Sequence, residues 1–143
     1  MGSEVLRTKY EKCLSCKFVS VYIKEAHAYD EWPLGNHCVE KQHTTIGERA
    51  AAAARFLEHG HKNWSIPMYL DTMNDSFAVA LAAHPERFFV FDAHDSSGLR
   101  LMFASPGQHG GYTLNNLERF LESISNDERA GKTIYTAGSD TND

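Results

Sequence analysis

The 143-residue sequence has few cysteines and no excess of positive charge. Three cysteines, Cys13, Cys16 and Cys38, are too few and too odd in number for a disulfide framework, so they suit a reducing compartment. The formal net charge of −5 provides no basic field to favour nucleic acid or an anionic membrane. We therefore expect a protein that binds no nucleic acid.

Long apolar runs are also absent from the sequence. None approaches the ~20 residues that a transmembrane helix needs, and residues 1–4 start no signal peptide. These absences predict a cytoplasmic location for the chain as given. A membrane anchor upstream of residue 1 stays open as an alternative.

Motifs for common cofactors are absent too. There is no GxGxxG fingerprint and no P-loop, and the Gly-rich residues 106–111 lack the strand-to-helix spacing of either motif. Metal-capable groups at residues 37–38, 59–61 and 92–95 do not have the spacing of a zinc site. We expect no bound cofactor and no metal.

The residues that are present predict one α/β domain. Apolar residues make up 42% and charged residues 23%, as in ordinary globular proteins. Residues 1–125 are predicted to form the domain, and the polar residues 126–143 a flexible tail. Thr45 and Glu48 form a capping box before an alanine-rich helix, and Asn74 is predicted to cap a shorter one. Periodicity and turn residues predict helices over residues 4–13 and after Thr113, and strands over residues 18–23, 66–70, 87–91 and 99–103.

The predicted order is α-β-α-β-α-β-β-α. Alternating strands and helices imply right-handed parallel crossovers, and the last two strands form an antiparallel hairpin. A β-hairpin followed by a helix is how thioredoxin-like domains end. We therefore expect a thioredoxin-like α/β fold with a central mixed sheet flanked by helices. Such a domain opens with one more strand, which this chain would lack, leaving a sheet edge or centre unpaired.

The densest polar cluster follows the first predicted strand. Tyr22, Glu25 and His27 lie there, with His43 across a long loop. Open α/β sheets bind ligands beyond the carboxyl ends of their strands. A histidine there titrates near neutrality, and a nearby carboxylate can set its tautomer or raise its pKa. The alternative is a solvated loop with incidental histidines.

Two further features have two interpretations each. Cys13 and Cys16 have CxxC spacing, which fits a redox dithiol or two small residues that close a helix. A reactive thiolate is favoured at a helix N-terminus, whereas this pair lies at the C-terminal end. Pro85 precedes the third strand, where thioredoxin-like folds often have a cis proline. It also fits a simple helix stop in trans.

Several segments resemble the iodothyronine deiodinase family. YIKEAH at residues 22–27, followed by Asp30 and Trp32, is similar to the family's YIxEAHxxDGW. The family's LDTM is matched by residues 70–73, and its PERLYV by PERFFV at residues 85–90. Weaker matches are TKY at residues 8–10, QH at residues 42–43 and ER at residues 48–49. The matches occur in order along most of the chain.

This resemblance implies a thioredoxin-like oxidoreductase that removes iodine reductively from iodothyronines. Its nucleophile, a selenocysteine or cysteine, would follow the first strand, and we expect that motif N-terminal to Met1. The chain would begin at Met1 if a selenocysteine codon upstream were read as a stop. Deliberate trimming of an expression clone would have the same result. We expect the chain by itself to be catalytically silent.

The resemblance also implies site residues and partners. His27, His43, Glu25 and Tyr22 would relay protons, and His27, His43 and Trp32 would bind the aromatic halogenated substrate. A thiol cosubstrate would regenerate the enzyme, and a homodimer is left open. The family has a basic residue in the loop before the last helix, where this chain has none, and His109 would take its place.

Two other functions remain open on the same fold. One is a peroxiredoxin-like or other thiol-dependent reductase. The other is a non-catalytic binding module that uses the histidine cleft. Glu31, which replaces the glycine before the tryptophan of the family motif, is a further departure from the deiodinase pattern.

Overall fold

The computed structural model describes residues 2–35, 40–60, 64–95, 98–106 and 113–129. It confirms a mixed α/β architecture with the predicted order of elements. The elements are α1 (Gly2–Tyr10), β1 (Ser20–Tyr22), α2 (Ile46–Gly60), β2 (Met68–Leu70), α3 (Ser76–Leu81), β3 (Phe89–Asp95), β4 (Gly98–Ala104) and α4 (Leu114–Arg129). Residues 126–129 of the expected tail belong to α4, and residues 130–143 lie outside the described part.

The strands form two small sheets. β1 and β2 are parallel, with Val21 opposite Tyr69, and β3 and β4 form an antiparallel hairpin with two register shifts. Among the described strands no hydrogen-bonded ladder joins the β1–β2 pair to the β3–β4 pair, so they do not form the single central sheet that the sequence predicts. The division agrees with the expectation that the sheet lacks one strand, which would leave its edge or centre unpaired.

Side-chain oxygens cap the first turns of α2 and α3. The predicted capping box at α2 is confirmed, because Thr45 Oγ1 accepts from the Glu48 amide and Glu48 Oε2 accepts from the Thr45 amide. The predicted cap of α3 by Asn74 is wrong. The carboxylate of Asp71 accepts from the amides of Phe77 and Ala78, at 2.9 Å each, and so caps α3 from the end of β2.

Helices α1 and α4 pack together over the hairpin. Leu6 and Tyr10 of α1 are buried against Leu117 and Leu121 of α4, and the half-buried Phe88, Val90 and Phe103 pack on this cluster. The amphipathic stripe of α4 predicts this contact, since apolar residues three and four apart share a face. Within the described residues, no helix combines the length and apolarity that crossing a bilayer requires.

Arg49 connects α2 to the turn that follows β2. Its guanidinium donates to the carbonyl oxygens of Asp71 and Thr72, at 3.0 and 2.7 Å, and pairs with Asp75 at 3.0 Å. The side chain is almost completely buried, so these acceptors replace water as its partners. The contact holds the start of α2, and with it the preceding residue pair 42–43, against the carboxyl end of β2.

The peptide bond between His84 and Pro85 is cis. This answers the question that the sequence left open at that position.

Candidate functional site

The site begins where β1 ends. The carbonyl of Tyr22 accepts from the amide of Asp71 at 2.9 Å, which continues the pairing with β2 by one step. The chain then leaves the sheet through the loop that contains Glu25, His27 and Trp32. The predicted residues are therefore at the carboxyl edge of two parallel strands, the location where α/β folds bind ligands.

Tyr22 and Glu25 form a direct hydrogen bond. The Tyr22 hydroxyl donates to Glu25 Oε1, and the tyrosine is half-buried. Burial and the hydrogen bond to the glutamate both raise the pKa of Tyr22 above its ordinary value, because each disfavours the phenolate. The hydroxyl therefore holds its proton firmly and acts as the hydrogen-bond donor to Glu25.

His43 lies beside this pair. Its side chain is 2% exposed, its Nε2 is 3.9 Å from Glu25 Oε1, and its ring centroid is 5.9 Å from that of Tyr22. Neither ring nitrogen has a hydrogen-bond partner among the described residues. Buried polar atoms are nearly always satisfied, so an imidazole in this state is positioned to bind a ligand or to exchange a proton with one.

Gln42 holds the loop in place. Its side-chain amide donates to the carbonyl of Glu25 at 3.1 Å, and its Oε1 accepts from the Glu25 amide at 3.2 Å. The backbone amide of Gln42 donates to Asp30 Oδ1 at 2.8 Å. These contacts fix the backbone of Glu25 next to His43. Sequence reasoning did not assign this role to Gln42, although its place directly before His43 was the available signal.

His27 and Trp32 form a separate pair. His27 Nδ1 is 3.3 Å from the carbonyl oxygen of Trp32, and the two ring centroids are 5.1 Å apart. Trp32 is 59% exposed, so a large flat surface faces solvent next to the imidazole. The structure thus places Tyr22, Glu25 and His43 in one contact group and His27 with Trp32 in another. His109, the remaining predicted residue, lies outside the described part of the chain.

A pocket of about 180 Å³ opens beside His43. Gln42, Glu40 and Arg55 also line it, and Arg55 donates two hydrogen bonds to the Glu40 carboxylate, at 2.7 and 2.5 Å. The Arg55 guanidinium lowers the pKa of Glu40 below its ordinary value. Neither residue could be assigned from the sequence, because 15 positions separate them and only the fold brings them together. Across the described ranges, no group of three or more His, Cys, Asp or Glu residues could hold a metal ion.

Comparison with known proteins gives consistent matches. A family model described as iodothyronine deiodinase matches residues 5–125. A type I iodothyronine deiodinase of Xenopus laevis is 42% identical over 73 residues, which is 51% of this chain and 28% of that protein. Thyroxine 5-deiodinases of Rattus norvegicus and Homo sapiens are 33% and 32% identical over 118 residues, which is 82% of this chain and 36% of each of them. No solved structure matches significantly.

The aligned region of each relative is a minor part of its length, so the chain spans only about a third of the relatives it matches. The family model nevertheless covers most of the chain, including every described residue of the site. On these matches, and with the resembling motifs at the carboxyl edge of β1 and β2, the chain belongs to the iodothyronine deiodinase family.

Proposed function

We propose that this chain forms the substrate and proton-relay cleft of an oxidoreductase that removes iodine reductively from iodothyronine-type aromatic compounds. The observation that carries this proposal is His43, a buried histidine with both ring nitrogens unpartnered among the described residues. It lines a pocket and lies next to the Tyr22–Glu25 hydrogen bond. Membership of the deiodinase family supplies the reaction class.

The reaction needs a nucleophile that we place outside these 143 residues. A selenolate or thiolate attacks the iodine, the carbon–iodine bond breaks, and the aromatic carbon takes up a proton. The resulting selenenyl or sulfenyl iodide is reduced by two thiol molecules, which form a disulfide and release iodide with a proton. The proposal therefore includes a thiol cosubstrate and no bound cofactor.

The proton for the aromatic carbon comes from the Tyr22, Glu25 and His43 group. Burial and Glu25 raise the pKa of Tyr22, so its hydroxyl keeps its proton and donates it in the hydrogen bond to Glu25. Glu25 lies between the hydroxyl and the imidazole, with its Oε1 near both. A carboxylate in this position can accept a proton from one group and support its transfer through the other. Trp32 and His27 are proposed to contact the substrate rings.

The sheet architecture is compatible with a thioredoxin-like arrangement in the longer protein. Each of the four described strands has one paired edge, and the large apolar residues of β1 and β3 are only half-buried. A strand inserted between β1 and β3 would pair with one edge of each and cover this surface. We propose that such a strand brings the nucleophile to the carboxyl edge, where His43 lies.

The test extends the chain with its own upstream coding segment, so that the selenol or thiol motif is present. Iodide release from thyroxine is measured with excess dithiothreitol as the thiol. His43→Asn and Glu25→Gln are each expected to reduce kcat about 10²-fold or more, as for the loss of a general acid–base group. Glu58→Gln, at an exposed position on α2, is the matched control and should keep the parental rate.

Three outcomes would contradict the proposal. Consumption of hydrogen peroxide without iodide release would instead indicate a peroxiredoxin-like thiol reductase. Thyroxine binding without any turnover, unchanged when all three cysteines are replaced by serine, would indicate a binding module. Full iodide release by His43→Asn would remove His43 from the proposed relay.

A further inference from the structure

We propose that Cys13 and Cys16 form a redox-active pair that is oxidised to a disulfide by exchange with low-molecular-weight disulfides. Neither cysteine takes part in the proposed deiodination. Both lie in the turn that follows α1, and both are free cysteines in the structure. This site is independent of the proposed function.

The two sulfur atoms converge on one backbone oxygen. The carbonyl oxygen of Tyr10 lies 3.6 Å from Cys13 Sγ and 3.5 Å from Cys16 Sγ, and each thiol can donate to it. The separation of the two sulfurs therefore cannot exceed the sum of these distances. The Leu14 amide donates to the same oxygen at 3.0 Å, which fixes the turn between the cysteines.

Ser15 produces the change of direction that brings Cys16 back to the helix end. Its φ is +46°, in the left-handed region that residues other than glycine rarely occupy. Without this reversal the chain would carry Cys16 away from Cys13. Cys16 is instead half-buried against the cluster that Leu6 and Tyr10 form with α4. The packing of α1 on α4 therefore helps to hold the turn in its thiol-convergent form.

The two thiols differ in their exposure, which sets their roles. Cys13 is exposed and is the sulfur that an external disulfide can reach. Cys16 is half-buried, and burial raises its pKa. Cys13 is therefore the entry thiol, and Cys16 is the resolving thiol that closes the bond.

Burial stabilises the Cys16 thiol more than its thiolate. Both thiols donate to carbonyl oxygens at the C-terminal end of α1 and not to the N-terminal end of a helix, where the dipole stabilises thiolates. Strongly oxidising dithiol proteins owe their potential to a stabilised reduced thiolate. This pair lacks that stabilisation, so its disulfide is expected to be a stable product and the exchange to be slow near neutral pH.

The exchange is balanced in two steps. The Cys13 thiolate attacks one sulfur of the small disulfide, forms a mixed disulfide and releases one thiolate. Cys16, after loss of its proton to solvent, attacks the Cys13 sulfur and releases the second. The protein loses two electrons and two protons, and the small disulfide becomes two thiols.

The experiment uses the 143-residue chain with Cys38→Ser and oxidised glutathione at pH 8.5. After alkylation of remaining thiols, trypsin cleavage at Lys12 and Lys17 yields one peptide with both cysteines. We expect this peptide to lose two hydrogens and to carry neither glutathione nor the alkylating group. Repeating the reaction in 8 M urea should lower the ratio of closed peptide to glutathione adduct about tenfold, because the folded turn no longer holds the sulfurs together.

Single variants test the assigned roles. In Cys16→Ser, Cys13 should form a lasting glutathione adduct, and it should do so about tenfold faster than Cys16 does in Cys13→Ser. Persistent glutathione adducts on the parental peptide would overturn the proposal. Recovery of both cysteines as alkylated thiols would also overturn it, because neither would have reacted with oxidised glutathione. A closure ratio that is equal in buffer and urea would show that the fold does not assemble the pair.

Discussion

Replacing Arg49 by methionine is expected to destabilise the fold, because it removes the guanidinium that joins α2 to the turn after β2. Three hydrogen bonds are lost, to the carbonyls of Asp71 and Thr72 and to the carboxylate of Asp75. Methionine has a similar length and no charge, so the volume of the side chain is largely kept. The change therefore isolates the polar contacts from the packing.

The magnitude follows from what is left behind. Breaking a buried ion pair costs about 3–5 kcal/mol, and the Asp75 side chain is 25% exposed and can be rehydrated, which favours the lower end. Arg49 Nε has no hydrogen-bond partner among the described residues, so removing it relieves a penalty of about 1 kcal/mol. The free energy of unfolding should therefore fall by about 2–3 kcal/mol.

Urea unfolding followed by far-UV circular dichroism measures this change. With a slope of about 2 kcal/mol/M, the midpoint should fall by about 1–1.5 M at unchanged slope. Arg119→Met on the exposed face of α4 is the matched control, with an expected change under about 0.5 kcal/mol. Equal midpoints for the two variants would refute the assignment of Arg49 as a buried link.

Two other substitutions test electrostatics and the site. Burial would raise the pKa of Glu4, but hydrogen bonds from Ser65 and Arg7 outweigh it and lower that pKa from 4.5 to about 2. The ionised Glu4 carboxylate stabilises the fold fully above pH 4.5, and this stabilisation is lost as the pH falls toward 2. In Glu4→Gln the free energy of unfolding should therefore fall less steeply between pH 5 and 2.5 than in the parent chain. Parallel pH profiles for the two proteins would contradict this. Tyr22→Phe should cost about 1.5 kcal/mol in urea titrations, from the lost hydrogen bond to Glu25, and the exposed Tyr69→Phe almost nothing; equal costs would contradict the contact.

Features that depend on neighbours in the chain were predictable. The Thr45–Glu48 capping box joins groups three residues apart, and the amphipathic stripe of α4 repeats over single turns. The β3–β4 hairpin follows from a turn between two adjacent apolar runs. The motifs at residues 22–27, 70–73 and 85–90 together indicated the family, because such a combination in this order is hard to reach by chance.

Contacts between distant residues were decided by the tertiary structure. Sequence reasoning grouped Tyr22, Glu25, His27 and His43, whereas the fold joins His43 to Tyr22 and Glu25 and pairs His27 with Trp32. The sequence likewise placed the cap of α3 at its nearest polar neighbour, whereas the carboxylate of Asp71 at the end of β2 provides it.

The distinction between local and long-range effects also applies to Cys13 and Cys16 and to the pairing of the strands. Sequence determined the CxxC spacing of Cys13 and Cys16, but the left-handed Ser15 and the packing of α1 on α4 decided that both sulfurs meet at one carbonyl. Sequence determined which segments become strands, but not how the described strands divide into two pairs. The physical reason is range: propensity and capping act over a few residues, whereas strand pairing and burial depend on what the rest of the chain brings alongside.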